Sequence, residues 1–209
     1  MFTAIKWTFW IVFWTIVLAF FHYSLPQRDI VRIVNTYEER QDLVGWTRIF
    51  WSEPYDQSTS LANRDVQFIQ TVRADGSTMV YRNEDTGLGW PPYFKMDTAN
   101  LYTEANDAIS TKDNPEWYLL KHYGWRNVYW SIFPNAISLK RVEGPDAPKG
   151  LPWLNIFILT ITFAVAYAIW VRWRRFRRAR IDPKLEAIED DLTERSGRFR
   201  NWLGTWRRK

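Results

Sequence analysis

Few residues in this chain can do chemistry. Its 209 residues include no cysteine and two histidines, His22 and His122. A tetrahedral structural zinc site draws on Cys and His and is therefore nearly excluded, and a catalytic one would need carboxylates that no spacing picks out. No metal and no cofactor is expected. His122 lies in Lys121-His122-Tyr123-Gly124-Trp125-Arg126, and Glu84, Asp85 and Asp97 cluster in sequence around a Gly/Pro-rich loop. An acid–base pair is thus the one catalytic arrangement that can be drawn. The chain has no Gly-x-Ser-x-Gly elbow, Ser-x-x-Lys, Walker-type loop or dinucleotide fingerprint, and Gly87-x-Gly89 is too short to cradle a phosphate. Asn83-Glu84-Asp85 reads more simply as a strand end with its turn. The expectation is a protein that is not an enzyme, with no catalytic residue. His22 could ligate a haem or chlorin, but its position at the end of an apolar run favours an interfacial polar anchor.

The elements that would position these residues are dominated by two uncharged apolar runs, Trp7 to Leu25 and Leu151 to Val171. Each is about long enough to cross a bilayer core of about 30 Å as a helix. Mean hydropathy over the chain is negative, so it is the segregation of apolar residues into two blocks that predicts an integral membrane protein. Trp7, Trp10, Trp14, His22 and Tyr23 mark the first run and Trp153, Trp170 and Trp173 the second, where amphipathic rings prefer headgroup depth. The first run lacks a small-x-small cleavage site after it and reads as an uncleaved anchor, not a secretory signal. Six arginines fall within residues 172–180, directly after the second run, whereas the N-terminal stub carries only Lys6. Both termini are therefore expected in the cytoplasm.

Residues 26–150 carry a formal charge of −3 and the two flanks together +8, so the basic pI reports topology. Stop-transfer and attraction to anionic lipids account for Arg174, Arg175, Arg177 and Arg178, and no nucleic acid is expected as a partner. The middle segment would then lie in the periplasm of a bacterium. Without cysteines it must hold itself by its own core, and it has no Asn-x-Ser/Thr sequon. The predicted organisation is a cytoplasmic N-terminus at 1–6, transmembrane helices at 7–25 and 151–171, a periplasmic domain at 26–150 and a basic cytoplasmic tail at 172–209.

The fold class predicted for residues 26–150 is α+β. Arg28 to Tyr37 is β-branched enough for a strand. Val66 to Arg73 and Ser77 to Arg82 alternate on either side of Ala74-Asp75-Gly76, which is a hairpin signal. Thr86 to Tyr93 is a loop by its glycines and prolines, and Thr98 to Ser110 is helical, with Leu101, Ala105, Ala108 and Ile109 on one face. Strands follow at Trp117 to Tyr123 and Ala136 to Val142. A mainly antiparallel sheet covered by one helix is expected.

Candidate interaction surfaces are clearer than candidate chemistry. Trp7, Trp10 and Trp14 fall at i, i+3 and i+7, a tryptophan stripe running below headgroup depth, where Leu or Val would suit lipid better. Ala164-x-x-x-Ala168 and Thr15-x-x-x-Ala19 are small-x-x-x-small pairs that permit close helix approach. Trp90-Pro91-Pro92-Tyr93 is a further contact candidate. Two aromatic-rich stretches, with Trp46, Phe50, Trp51 and Tyr55, and with Trp125, Tyr129, Trp130, Ile132 and Phe133, either pack on the sheet or form a membrane or partner face. In the tail, Leu185, Ile188 and Leu192 sit at helical spacing after Pro183. Phe199, Trp202, Leu203 and Trp206 then line one side of a basic amphipathic helix suited to the surface of an anionic leaflet, or to a partner groove.

Three stretches, His22 to Ile33, Val80 to Lys95 and His122 to Arg126, together with Phe133-Pro134-Asn135-Ala136, resemble an alphaproteobacterial family known as a domain of unknown function with one helix at each end. The resemblance covers most of the chain outside the tail. It implies a bacterial inner-membrane location and brings no activity or catalytic residue with it. The function expected is that of an accessory, assembly or scaffolding component of an inner-membrane protein complex, such as a bioenergetic one. Other integral membrane proteins, a second copy of the chain and anionic lipids are its expected partners. The alternative is a cell-envelope enzyme or lipid-handling protein with a periplasmic site near His122 and the Glu84/Asp85 loop.

Overall fold

The structure, a computed structural model, describes residues 2–42, 46–51, 63–87, 89, 91, 93–184, 188, 192, 193, 197 and 198. The chain divides into two units, 1–151 and 152–209.

The first unit opens with α1 (Phe2–Ser24), an unbroken apolar helix of 23 residues, about 34 Å long at 1.5 Å per residue. Only Leu25 and Pro26 separate it from β1 (Gln27–Asp42). A 3-10 helix (Trp46–Phe50), β2 (Asn63–Arg73), β3 (Thr78–Asn83), α2 (Thr98–Asp107), β4 (Trp117–Tyr123) and β5 (Asn135–Val142) follow. The strands close into a barrel in the order β1-β2-β3-β5-β4. One long strand makes this possible. Residues 27–31 of β1 pair with β4 and residues 31–42 with β2, and a register shift between Ile33 and Asn35 bends the strand between its two neighbours. β3 and β5 run parallel and meet at Arg82 and Asn135, where the Arg82 amide donates to Pro134 O at 2.9 Å. All other strand pairs are antiparallel. The sheet is therefore mainly antiparallel and packed by one helix, as the strand pattern implies, but the parallel β3–β5 contact makes it mixed and it closes into a barrel, which that pattern did not imply. Five strands in this Greek-key order, with a helix between the third and fourth, form a barrel of the OB type.

The hairpin turn is as its residues require: Gly76 has φ +81°, and Asp75 accepts from the Ser77 amide at 2.8 Å and its hydroxyl at 2.6 Å. α2 starts at Asp97, whose carboxylate accepts from the Asn100 amide at 3.0 Å. Its Leu101 and Ala105, with Ala108 just past its end, join Val31, Ile33, Ile69, Tyr81, Leu120 and Ala136 in the barrel core. Ile109 is exposed, because the helix has ended and the Ser110 amide turns to donate to Ile33 O at 3.0 Å. Strand alternation sends Phe68 to the other face of the sheet. There it builds a second cluster with Val66 and Trp51, flanked by Tyr37, Val80 and Phe133. Phe68 stacks on Tyr37 at 5.1 Å and meets Phe133 edge-on at 4.9 Å.

The second unit is built on α3 (Trp153–Phe176), also apolar, followed by a π-helical turn (Arg177–Ile181) in which the Asp182 amide reaches Arg177 O. Helical backbone then continues through Lys184. The wide turn directly precedes Pro183, which has no amide hydrogen to donate back into the helix. Hydroxyls inside both apolar helices fold onto their own backbone: Thr15 onto Ile11 O at 2.8 Å, Thr160 onto Ile156 O at 2.7 Å and Thr162 onto Ile158 O at 2.8 Å. Both helices are long and apolar enough to cross a membrane, and their apolar side chains face outward. The amphipathic segment with Phe199, Trp202, Leu203 and Trp206 lies outside the described residues.

Candidate functional site at the helix–barrel junction

A helix leaves its last four carbonyls without intrahelical donors. At the end of α1 all four are satisfied, most of them by the barrel. Leu25 N donates to Phe21 O at 2.8 Å and Gln27 Nε2 to His22 O at 3.0 Å. Gly124 N donates to Tyr23 O at 2.9 Å, and the Tyr93 hydroxyl to Ser24 O. The Gly124 amide is available because the residue turns out of β4 with φ +94°; a Cβ there would sit 3.5 Å from both Pro134 Cα and Tyr23 Cε2. His22 is tied down as well: Trp125 Nε1 donates to its Nδ1 at 2.8 Å. The Tyr23 ring lies among Phe50, Tyr123 and Trp125, at 5.5, 6.1 and 5.4 Å. Three loops thus converge on the last turn of α1, and helix and barrel form one joint.

Under this joint lies a buried charged cluster. Arg82, on β3, is almost fully buried, and its Nη1 sits 2.9 Å from Glu84 Oε2. Arg64 pairs with the other Glu84 oxygen. Asn135 holds the Glu84 backbone from both sides: its Oδ1 accepts from Glu84 N at 2.9 Å and its Nδ2 donates to Glu84 O at 3.0 Å. The same Nδ2 reaches the Tyr123 hydroxyl at 3.1 Å. The Arg82 guanidinium also lies 5.2 Å over the Trp51 ring. Burial opposes the Arg82 charge, but the charge of Glu84 and the neighbouring tyrosines outweigh it and raise its pKa. Beside the cluster, the buried Lys95 donates to Asn83 Oδ1 and, at 2.8 Å, to Ala136 O.

Burial pushes Lys95 down to about 7, only partly opposed by Asp85 and Glu84. An unfolded lysine titrates near 10.4, so between about pH 7 and 10 the unfolded chain holds a proton that the folded chain does not. Stability conferred through this group therefore rises with pH across that window, by of order 1 kcal/mol per unit. Denaturation in detergent at pH 7, 8 and 9 checks this: the wild-type chain should gain relative to Lys95→Met, and parallel curves would contradict the assignment.

A second polar network lies inside the barrel. Asp29 Oδ2 accepts from the Tyr81 hydroxyl at 2.6 Å and from Arg73 Nε at 3.1 Å, and stands 3.3 Å from His122 Nε2. Lys149 Nζ is 3.8 Å from Oδ1. Burial alone would raise the Asp29 carboxyl, but the neighbouring His122 imidazole, the Tyr81 hydroxyl and the Arg73 guanidinium hold it well below the usual carboxylate range. Burial, together with Asp29, pushes Tyr81 up. Asp29, Arg73, Asp75, Pro145 and Lys149 also line an open cleft of about 300 Å³, in which the charges balance.

His122 and Glu84, the sequence's one acid–base possibility, do not meet: His122 faces Asp29 and Tyr81, while Glu84 is held between Arg64 and Arg82. Among the described residues no group of His, Asp and Glu could hold a metal ion. Trp7, Trp10 and Trp14 are exposed along α1. Ala164 and Ala168 are exposed on α3, as are Arg174, Arg175, Arg177 and Arg178 at its end. Arg174 lies 4.7 Å over the Trp170 ring, and Arg177 pairs with Asp182 at 3.0 Å. Tyr93 serves the junction and Pro91 is buried beside it in sequence, whereas Trp90 and Pro92 lie outside the described residues. Phe50, Trp51, Ile132 and Phe133 pack onto the joint or the barrel, and Tyr129 is fully exposed. Asp29, Arg82, Lys95 and Asn135 were not singled out from the sequence; a buried polar residue in a strand or a loop has the same local pattern as an exposed one.

Similarity to known proteins agrees with the extent of this architecture. A Haemophilus influenzae protein described as uncharacterized is 39% identical over 145 residues, which cover 68% of this chain and 78% of that one. No solved structure matches. A family model matches residues 2–177, from the start of α1 to the end of α3, and the chain belongs to that family, described as Protein of unknown function (DUF1523).

Proposed function

We propose that this is a two-span protein of a bacterial inner membrane, both termini cytoplasmic and the barrel periplasmic, that serves as an accessory, assembly or scaffolding component of a membrane protein complex. The observation that carries this reading is the joint, in which every terminal carbonyl of α1 is capped. A helix welded in this way holds its barrel in a fixed attitude to whatever the helix binds, which is useful to a scaffold. The exposed Trp7, Trp10 and Trp14 offer the intramembrane contact, and the arginines after α3 an attraction to anionic lipids.

The faces that OB barrels use for oligonucleotides, strands 2–3 with the β1–β2 and β4–β5 loops, are occupied here by Trp51 and Phe133 of those very loops. That favours a protein and lipid binder over a nucleic-acid binder. The rival reading, an envelope enzyme or lipid-handling protein centred on His122, is less well supported, because His122 is buried and apart from Glu84.

The test is native electrophoresis of membranes carrying the full chain. The wild-type chain should migrate in an assembly larger than itself, and Trp10→Leu with Trp14→Leu should release it with the barrel still folded. Unchanged migration of the double variant would count against the helix stripe as the contact.

A further inference from the structure

The two ends of the barrel differ in character. β3 and β4 both run toward the joint, so the loops before them lie at the opposite end: Ala74 to Ser77, and Thr111 to Pro115, small or polar and exposed. The loops at the joint are different. Ile49 is 76% exposed beside Phe50, whose carbonyl accepts from Tyr23; Phe94 is 62% exposed beside Tyr93, which caps Ser24. Val128 and Tyr129, 72% and 95% exposed, form the tip of the loop that Trp125 anchors to His22. Phe94 has φ +53°, and Ser131 in the Trp125 loop has φ +49°. A bulky residue held in that region is strained, and such strain persists where the surroundings impose it for a purpose. Here it turns an aromatic ring outward into an exposed position.

We propose that these loop tips form an apolar collar that beds in the interfacial layer of the bilayer, around the point where α1 leaves it. The proposal rests on reading α1 as a membrane span and goes beyond it, by assigning the barrel itself a lipid-contacting face. Lipid is the occupant because only Leu25 and Pro26 separate helix from barrel, and the loops bind the last helical turn directly. The joint end therefore cannot stand off from the surface at which α1 emerges. Exposed aromatic and aliphatic side chains at that depth match the interfacial preference of such groups.

The absence of cysteine from the chain makes the test direct. The full chain with Ile49→Cys, Phe94→Cys or Tyr129→Cys, labelled with a nitrobenzoxadiazole probe, is reconstituted into phosphatidylethanolamine/phosphatidylglycerol vesicles containing doxyl-labelled lipids. Ile16→Cys in α1 and Asn114→Cys at the far end serve as references. The collar predicts quenching at 49, 94 and 129 from shallow doxyl groups, at a depth of about 5–10 Å, with deep quenching at 16 and none at 114. Quenching at 16 with none at 49, 94 and 129 overturns the collar and leaves the span standing. No quenching at 16 overturns both.

Discussion

Replacing Glu84 by glutamine should cost about 3–5 kcal/mol of barrel stability, because it strips the shared counter-charge from a buried arginine. Glu84 is 7% exposed and its partner Arg82 3%, with Nη1 and Oε2 2.9 Å apart. An ion pair of this kind adds little net stability over apolar residues of the same shape, yet removing one member strands the other in a medium that solvates it poorly. Arg82 can escape little, since its guanidinium is also covered by Trp51. Arg64, at 13% exposure, loses the same carboxylate and can turn toward water. Glutamine keeps the shape and one acceptor, so the loss reports charge and not volume. Adding Arg82→Met should recover part of it. Chemical denaturation in detergent, followed by near-ultraviolet circular dichroism of the aromatic-rich barrel, measures both; a Glu84→Gln loss below about 1 kcal/mol, the size of a surface ion pair, would contradict the buried assignment.

Asp29→Asn should destabilise by about 2–3 kcal/mol at neutral pH, in keeping with the loss of hydrogen bonds to a charged group. Asp29 gathers Tyr81, Arg73 and His122 on one oxygen, and its substitution removes the charge while keeping the shape. The pH dependence separates charge from packing. A carboxyl held below its unfolded value contributes stability that is fully present above about pH 3.9 and is lost as the pH falls through the folded value. The gap between wild type and Asp29→Asn should therefore narrow as the pH falls below about 4. A gap independent of pH down to the acid transition would show that the amide disturbs packing and that the carboxylate charge contributes nothing of its own.

Much of the barrel is legible in the sequence. Ala74-Asp75-Gly76 between alternating runs marked the β2–β3 turn, Leu101, Ala105 and Ala108 marked the buried face of α2, and the β4 and β5 runs fell within a residue of their ends. Closure was not legible. The second half of β1, with Thr36, Glu38, Glu39 and Arg40, has no apolar alternation, and it is a strand because β2 supplies its hydrogen bonds. The parallel contact between Arg82 and Asn135 joins residues 53 positions apart and leaves no local trace.

The joint was half legible. The aromatic load of the two loops was visible, but not which rings turn inward: Phe50 and Trp125 meet α1, whereas Ile49 and Tyr129 face out. The bond from Trp125 Nε1 to His22 Nδ1, between residues 103 positions apart, left no local trace. The charged cluster could not be read at all, because burial of Arg82 follows from loops folding back over the sheet and not from the strand that carries it.

Membership of a membrane assembly shows itself when the tagged full-length protein is purified from its native membrane in a mild detergent and native mass spectrometry identifies what accompanies it. A stoichiometric integral membrane partner should accompany the wild-type chain and be lost with Trp10→Leu and Trp14→Leu. Recovery of the chain alone would contradict it and turn attention to the Asp29 cleft as a ligand site.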